Sequence, residues 1–180
     1  SDSGIVEQLF SRLGQNPLLA CLMGAGVAFV LQSSSATVGI LQAFSTSGQL
    51  TFGEIYAMLV GIYLGDCLTT AIVCGIGSRP DAKRVGVVNV LFNVCKSVLI
   101  MAVITIIHRA ALLDAIWDKA IYSGGIANAH TIFNLACAFV LLPFVGVYES
   151  ISHRLVKEEP VAAGKYDEML DALNPVFIST

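Results

Sequence analysis

The sequence predicts an all-α membrane protein, made of a re-entrant helical hairpin and about three transmembrane helices, one of them interrupted. Hydrophobic residues make up 56% of the 180 residues, charged residues make up only 13%, and the mean hydropathy is +0.77. Soluble proteins carry about 25% charged residues, so this composition is typical of a chain that lies in a lipid bilayer. Most of the charged residues are grouped near the ends of the apolar segments, which leaves the interiors of those segments free to enter the bilayer.

The first apolar segment, residues 17–47, predicts the hairpin. No charged residue occurs between Arg12 and Glu54, yet Gln32-Ser33-Ser34-Ser35 interrupts the apolar run near its middle. The arm before this interruption is about 22 Å long as a helix, whereas a spanning helix needs about 20 residues for a 30 Å core. Two short helices joined at a polar tip therefore fit better than a span. The alternative is one continuous helix whose serines bond back to their own helix carbonyls.

The second segment, residues 52–77, is long enough to cross the bilayer and is predicted to be interrupted. Gly61 and Gly65 lie near its middle, and Asp66 follows directly. An ionised carboxylate at that depth costs roughly 3 kcal/mol or more unless it faces protein, water or an ion. We therefore expect the helix to unwind at these residues.

Residues 85–107 and 126–148 are predicted to form the other two spans. In the first, Asn89, Asn93 and Lys96 are spaced by four and three residues, so they share one helix face, which must point into the protein. The second has polar residues near its start and a proline near its end: Asn128, His130, Asn134 and Pro143.

Basic residues predict the orientation of the chain. They form two clusters, one before the first of these two spans and one after the second: Arg79, Lys83 and Arg84, then His153, Arg154 and Lys157. Two spans separate the clusters, so both lie on the same side, which is the cytoplasm by the positive-inside rule. The hairpin then enters from outside, residues 151–180 form a cytoplasmic polar tail or linker, and the expected location is the cytoplasmic (inner) membrane.

The polar tip has the chemistry of an oxyanion site. Gln32 and the serines after it offer an amide and three hydroxyls, and a helix that restarts at Ala36 presents free backbone N–H groups at its positive dipole end. Hydroxyl oxygens of the tip and oxygens released by an unwound second segment are also hard ligands suited to Na⁺. The predicted sodium ligands are Ser33, Ser34, Gly61, Gly65, Asp66, Thr69 and Thr70.

Several of these residues also have a structural interpretation. The serines could form a tight packing surface, His130 could be a satisfied interior histidine, and Asn93 and Asn134 could join helices by hydrogen bonds. Asp66 and Lys96 reach the same depth from opposite ends of their helices. One interpretation makes them a structural ion pair, and the other makes Asp66 a sodium ligand and Lys96 a charge that faces the anion.

Features of other protein classes are missing from the sequence. The net charge of -3 disfavours nucleic-acid binding. The five cysteines form an odd set without a CxxC pair, so we expect them to pack as small hydrophobic groups. Neither His108 nor His130 has a Cys or Glu at nucleophile or metal spacing, and no Walker, Rossmann or zinc motif occurs. We expect no enzyme activity, no nucleic-acid partner and no cofactor, with Na⁺ as the coupling ion.

Four motifs in order carry a resemblance to a known family. They are Gln32-Ser33-Ser34-Ser35-Ala36-Thr37, the stretch 61–70, Ala82-Lys83-Arg84, and Ile126-Ala-Asn-Ala-His130-Thr-Ile-Phe133-Asn134-Leu. With them the sequence resembles the bacterial branch of the type II sodium/phosphate cotransporter family. The resemblance implies an inverted-repeat transporter in which two hairpins enclose phosphate and Na⁺, and of which this chain is the second half. The implied partners are therefore phosphate, Na⁺, lipid, a missing first repeat or a second copy, and a PhoU-like helical domain after the tail.

The resemblance also assigns residues. Gln32, Ser33, Ser34 and Ser35 take the family's phosphate and sodium role, and Gly61, Gly65, Thr69 and Thr70 that of the unwound helix. The sequence departs from the family at four positions, namely Tyr63 for Asn, Asp66 for Thr, Asn89 for His and Lys96 for a small residue. The implied function is sodium-coupled symport of inorganic phosphate. The alternatives are another small solute on the same scaffold, or a non-transporting membrane scaffold or sensor.

Overall fold

The protein is helical throughout most of the part described by the computed structural model, which covers residues 16–46, 50–77 and 79–157. The helices are α1 (Pro17–Leu31), α2 (Ser34–Ser45), α3 (Phe52–Gly75), α4 (Pro80–Arg109), α5 (Asp114–Trp117), α6 (Ser123–Leu141) and α7 (Val145–Leu155). A 3₁₀ turn at Leu142–Phe144 joins the last two, with Pro143 inside it. The all-α prediction is confirmed, while most of the predicted tail lies outside the described residues.

Three helical segments are long and apolar enough to cross a membrane. They are α3, α4, and the continuous stretch from α6 through α7. Many large apolar side chains on them point away from the protein; Ile132 and Phe139, for example, are 61% and 78% exposed. Such side chains are suited to contact lipid. The protein is therefore an all-α membrane protein with the predicted number of long apolar helices.

Two short helices form the predicted hairpin segment. Asn16 caps α1, because its Oδ1 accepts hydrogen bonds from the N–H groups of Leu18 and Leu19 at 3.1 and 3.3 Å. The helix ends at Gln32, which has the left-handed backbone angles φ 52° and ψ 29°, and Ser33 then caps α2. The chain is thus broken at the polar tip, and the alternative of one continuous helix is wrong.

The predicted interruption of the second segment is wrong, because α3 runs from Phe52 to Gly75 without a break. Its glycines serve close packing. A Cβ added to Gly61 would fall on the carbonyl oxygen of Cys21, and a Cβ added to Gly65 would fall on that of Ala25. The missing side chains let the backbones of α1 and α3 touch, as small residues do between membrane helices. Glycine here removes bulk and leaves the helix intact.

The same contacts show how α1 is aligned with α3. Gly61 lies against Cys21 and Ala25, and Gly65 lies against Ala25 and Ala28, so contacts later in one helix involve later residues of the other. The two helices therefore run parallel. One further turn along both helices places the hairpin tip at the level of Thr69.

The ends of the long helices are tied together at both ends of the molecule. At one end, the N–H of Ile121 donates to the carbonyl of Leu50 at 2.7 Å. At the other end, Arg84 Nε donates to the carbonyl of Val156 at 3.2 Å. The turn before α4 and the end of α7 therefore meet, and this contact brings the two basic clusters to the same end of the molecule.

Candidate functional site

The tip of the hairpin has an unusual backbone. Gln32 and Ala111 are the residues other than glycine with positive φ in the described part of the chain. For a residue with a Cβ, the left-handed conformation costs roughly 1–2 kcal/mol. At Gln32 this conformation ends α1 and turns the chain into α2, and the residue is exposed. Backbone strain of this kind is concentrated at ligand sites, which supports a binding role for the tip.

Ser33 organises the start of α2. Its Oγ accepts a hydrogen bond from the N–H of Ala36 at 3.2 Å and lies 3.2 Å from Ser35 Oγ. The hydroxyl of Thr37 donates to the carbonyl of Ser33 at 2.8 Å. These bonds satisfy part of the first turn, as a capping serine normally does. Ser33 and Ser35 are thus held in place by bonds within the tip.

Other groups at the tip have no such partner. Within the described residues, no hydrogen bond engages the side chains of Gln32 and Ser34, or the backbone N–H groups of Ser34 and Ser35. They stand at the positive end of the α2 dipole, where an anion is favoured. The tip therefore leaves an amide, a hydroxyl and two backbone N–H donors available at the start of α2.

The predicted sodium ligands are only partly available. Because α3 is unbroken, the carbonyl oxygens of Gly65 and Asp66 lie 3.5 and 3.4 Å from the hydroxyls of Thr69 and Thr70, which donate to them. Gly61 and Gly65 therefore contribute packing and no released carbonyl, in contrast to the prediction. The Asp66 carboxylate and the two threonine hydroxyls remain as candidate oxygen ligands on α3. No group of three His, Cys, Asp or Glu side chains in the described ranges could hold a metal ion.

A second polar cluster joins three long helices, through Tyr63 on α3, Lys96 on α4, and His130 and Asn134 on α6. The Lys96 side chain is buried, with 6% of the residue exposed. Its Nζ donates to Asn134 Oδ1 at 3.2 Å and stands 3.8 Å from the centre of the Tyr63 ring. The Tyr63 hydroxyl accepts from Asn134 Nδ2 and lies beside His130 Nδ1, each at 3.2 Å.

The predicted ion pair between Asp66 and Lys96 does not form. No salt bridge in the described part of the chain includes either residue. The physical reason is that the Tyr63 ring and the Asn134 amide already contact the Lys96 ammonium. A cation held over an aromatic face is stabilised by the ring quadrupole without a carboxylate.

Of the other predicted polar residues, some join this cluster and one bonds within its own helix. His130 and Asn134 join the cluster, whereas Asn93 donates to Asn89 on its own helix, at 3.0 Å to the carbonyl and 3.3 Å to the side-chain oxygen. Tyr63 is the member of the cluster whose contact with Lys96 the sequence analysis did not predict. An aromatic residue in the middle of an apolar span, in a chain with a lysine at similar depth, is the signal that could have found it.

Comparison with known proteins gives a family match. A family model described as Na+/Pi-cotransporter matches residues 3–144. The uncharacterized protein YqeW of Bacillus subtilis (strain 168) is 24% identical over 137 residues, which are 76% of this chain and 43% of YqeW. YjbB of Escherichia coli (strain K12), whose name provisionally assigns it to inorganic phosphate export, is 26% identical over 159 residues, 86% of this chain and 28% of YjbB. The chain thus spans less than half the length of these relatives, and no solved structure matches it.

Proposed function

Because this chain belongs to the Na+/Pi-cotransporter family, we propose that it forms one half of the pathway of a membrane transporter for inorganic phosphate, with Na⁺ as the coupling ion. The match extends over the hairpin, α3, α4 and α6. The matched residues make up only 43% of YqeW and 28% of YjbB, so a further repeat or a second copy would face the hairpin and complete the site.

The observation that carries this proposal is the hairpin tip. It breaks an apolar, charge-free segment with a strained Gln32, followed by donors that lack partners in the described structure. Phosphate needs several N–H and O–H donors at once, and a helix N-terminus supplies them together with a favourable dipole. In this proposal the phosphate ligands are Gln32, Ser33, Ser34 and Ser35.

Sodium is proposed to bind beside the phosphate. Its proposed ligands are the hydroxyls of Ser33 and Ser34 at the tip, the carboxylate of Asp66, and the hydroxyls of Thr69 and Thr70. The parallel alignment of α1 and α3 brings the tip to the level of Thr69, with Asp66 one turn earlier. A cation between an anion and a carboxylate reduces the repulsion between them, which gives a physical reason for coupling the two solutes.

The orientation and the direction of transport complete the proposal. We place the protein in the cytoplasmic (inner) membrane with its basic end and tail in the cytoplasm, where the tail leads to a PhoU-like domain. Uptake with sodium is the direction that we propose. Export is the second candidate, because the name of YjbB refers to phosphate export.

Transport by the full-length protein in proteoliposomes tests the proposal. Labelled phosphate should enter vesicles in response to an inward sodium gradient, and Gln32→Ala and Ser34→Ala should each reduce the rate at least tenfold. Ser150→Ala is the matched control, because Ser150 lies exposed on α7 and its hydroxyl bonds back to the carbonyl of Gly146 on the same helical stretch. Release from loaded vesicles with no sodium-driven uptake would favour export. Equal rates for the two tip variants and the control would contradict the tip as the phosphate site.

A further inference from the structure

The Lys96 ammonium lies deep in the protein with no described carboxylate within salt-bridge distance, although the charge of Asp66 acts on it from farther away. It is roughly 24 Å along α4 from Pro80, near the middle of a 30-residue helix. The residue is 6% exposed, and no salt bridge in the described ranges includes it. A charge at this depth costs several kcal/mol unless the protein compensates it. The groups that contact it must therefore be suited to hold a cation.

Those groups are neutral, and they are of the kinds that bind monovalent cations. Asn134 Oδ1 is a hard amide oxygen at 3.2 Å from Nζ, and the Tyr63 ring stands 3.8 Å below it. Asn134 is held in turn by bonds from its Nδ2 to the carbonyl of His130 and to the Tyr63 hydroxyl, at 2.8 and 3.2 Å. The amide oxygen is thus fixed in the orientation that accepts from a cation.

We propose that this cluster is a monovalent-cation site whose permanent occupant is the Lys96 ammonium. The fixed charge also joins α4 to α3 and α6, because Tyr63 belongs to α3 and Asn134 to α6. Its role in transport rests on the proposed function. A tethered cation supplies positive charge to the region that an anion crosses, yet it cannot leave with the anion.

Chemical rescue tests the proposal on the full-length protein. Lys96→Ala removes three methylene groups and the ammonium, a volume that n-propylammonium matches. Propylammonium chloride should raise the unfolding temperature of Lys96→Ala by several degrees more than choline chloride at equal ionic strength, because a ligand that binds only the folded state stabilises it. The neutral n-propanol should give a smaller effect. Wild type, and Lys119→Ala at an exposed position outside the cluster, should show no such difference.

Lys96→Met separates charge from volume. Methionine fills the space without a charge, so this variant should unfold several degrees below wild type and should not respond to propylammonium. Two results overturn the proposal, namely a Lys96→Met variant as stable as wild type, or a Lys96→Ala variant that propylammonium stabilises no more than n-propanol does. If Lys96→Ala yields no folded protein in either salt, the stability of Lys96→Met decides.

The transport measurement is separate from the stability measurement. Phosphate transport by Lys96→Ala should fall at least tenfold, and propylammonium should restore a substantial part of it. If wild-type protein moves no phosphate under any gradient, the proposed function fails while the stability results still decide whether the cluster is a cation site. If transport is normal in wild type and unchanged in Lys96→Ala, the fixed charge has no part in the cycle.

Discussion

Glycine packing between α1 and α3 gives the sharpest prediction for the fold. A methyl group at Gly24 would fall on the carbonyl oxygen of Met58 and would lie 3.0 Å from its carbonyl carbon, both of which are backbone atoms. Comfortable carbon contacts are about 3.5–4.0 Å, so the helices would have to move apart. Gly26, two residues later, has no atom within 4 Å of such a methyl group. Gly26→Ala is therefore a matched control on the same helix.

The expected effects have opposite signs. Gly24→Ala should lower the free energy of unfolding by about 1–3 kcal/mol, the usual cost of overpacking. Gly26→Ala should raise it by about 0.5–1 kcal/mol, because alanine favours a helix more than glycine does. Separation of the helices also shifts the hairpin tip relative to Thr69, so Gly24→Ala should weaken phosphate transport as well.

Unfolding of the full-length protein in detergent micelles measures these effects. The two variants should differ by about 1.5–4 kcal/mol in the free energy of unfolding. Equal stabilities would refute the close parallel packing of α1 against α3. They would also remove the reason for placing the tip beside Thr69.

Three other predictions concern single positions. Gln32→Gly should raise stability by about 1 kcal/mol by relieving the left-handed strain, yet weaken phosphate binding; a loss of stability in thermal unfolding would contradict the strained backbone. Tyr63→Phe keeps the ring next to Lys96 and should lower the free energy of unfolding by about 1 kcal/mol through lost hydrogen bonds. Tyr63→Leu should lower it further because the ring is lost, and equal unfolding free energies for the two variants would contradict the ammonium–ring contact. Gly53→Ala should cost about 1–3 kcal/mol, because its methyl group would lie 2.6 Å from Trp117 Nε1; an unchanged unfolding temperature together with unchanged tryptophan fluorescence would contradict this packing.

The hairpin could be predicted because its signal is local. Four polar residues in a long charge-free segment cannot lie in a bilayer at no cost, and the arm before them is too short to span. The break between α1 and α2 at Gln32 and Ser33 follows from this pattern. The number of long apolar helices is also local information, because length and hydropathy determine it.

The continuity of α3 could not be predicted in the same way. Glycine in a membrane helix either allows the helix to unwind or lets another backbone approach, and the sequence of one segment does not separate the two. Gly61 and Gly65 meet Cys21 and Ala25, which belong to a helix about 40 residues earlier in the chain. The distinction therefore depends on tertiary packing, which a local pattern does not contain.

The partners of Lys96 were missed for a related reason. Matching depth and opposite charge predicted Asp66 as its partner, but depth does not fix the direction of a side chain around its helix. The Tyr63 ring contacts the ammonium instead. Because the ring is neutral, a comparison of charged residues alone does not identify it. His130 and Asn134 were predicted as supporting polar residues, and the structure brings both to this cluster.

Equilibrium binding of phosphate to the purified full-length protein tests the central claim most directly, since it needs no assumption about direction. Titration calorimetry should detect phosphate binding in sodium chloride and much weaker binding in choline chloride. Ser34→Ala should weaken it about tenfold or more, because a hydrogen bond to a charged group contributes about 1.5–3 kcal/mol. Ser150→Ala should bind as wild type does. Phosphate binding that is equally strong in Ser34→Ala and in wild type would contradict the assignment of the hairpin tip as the phosphate site.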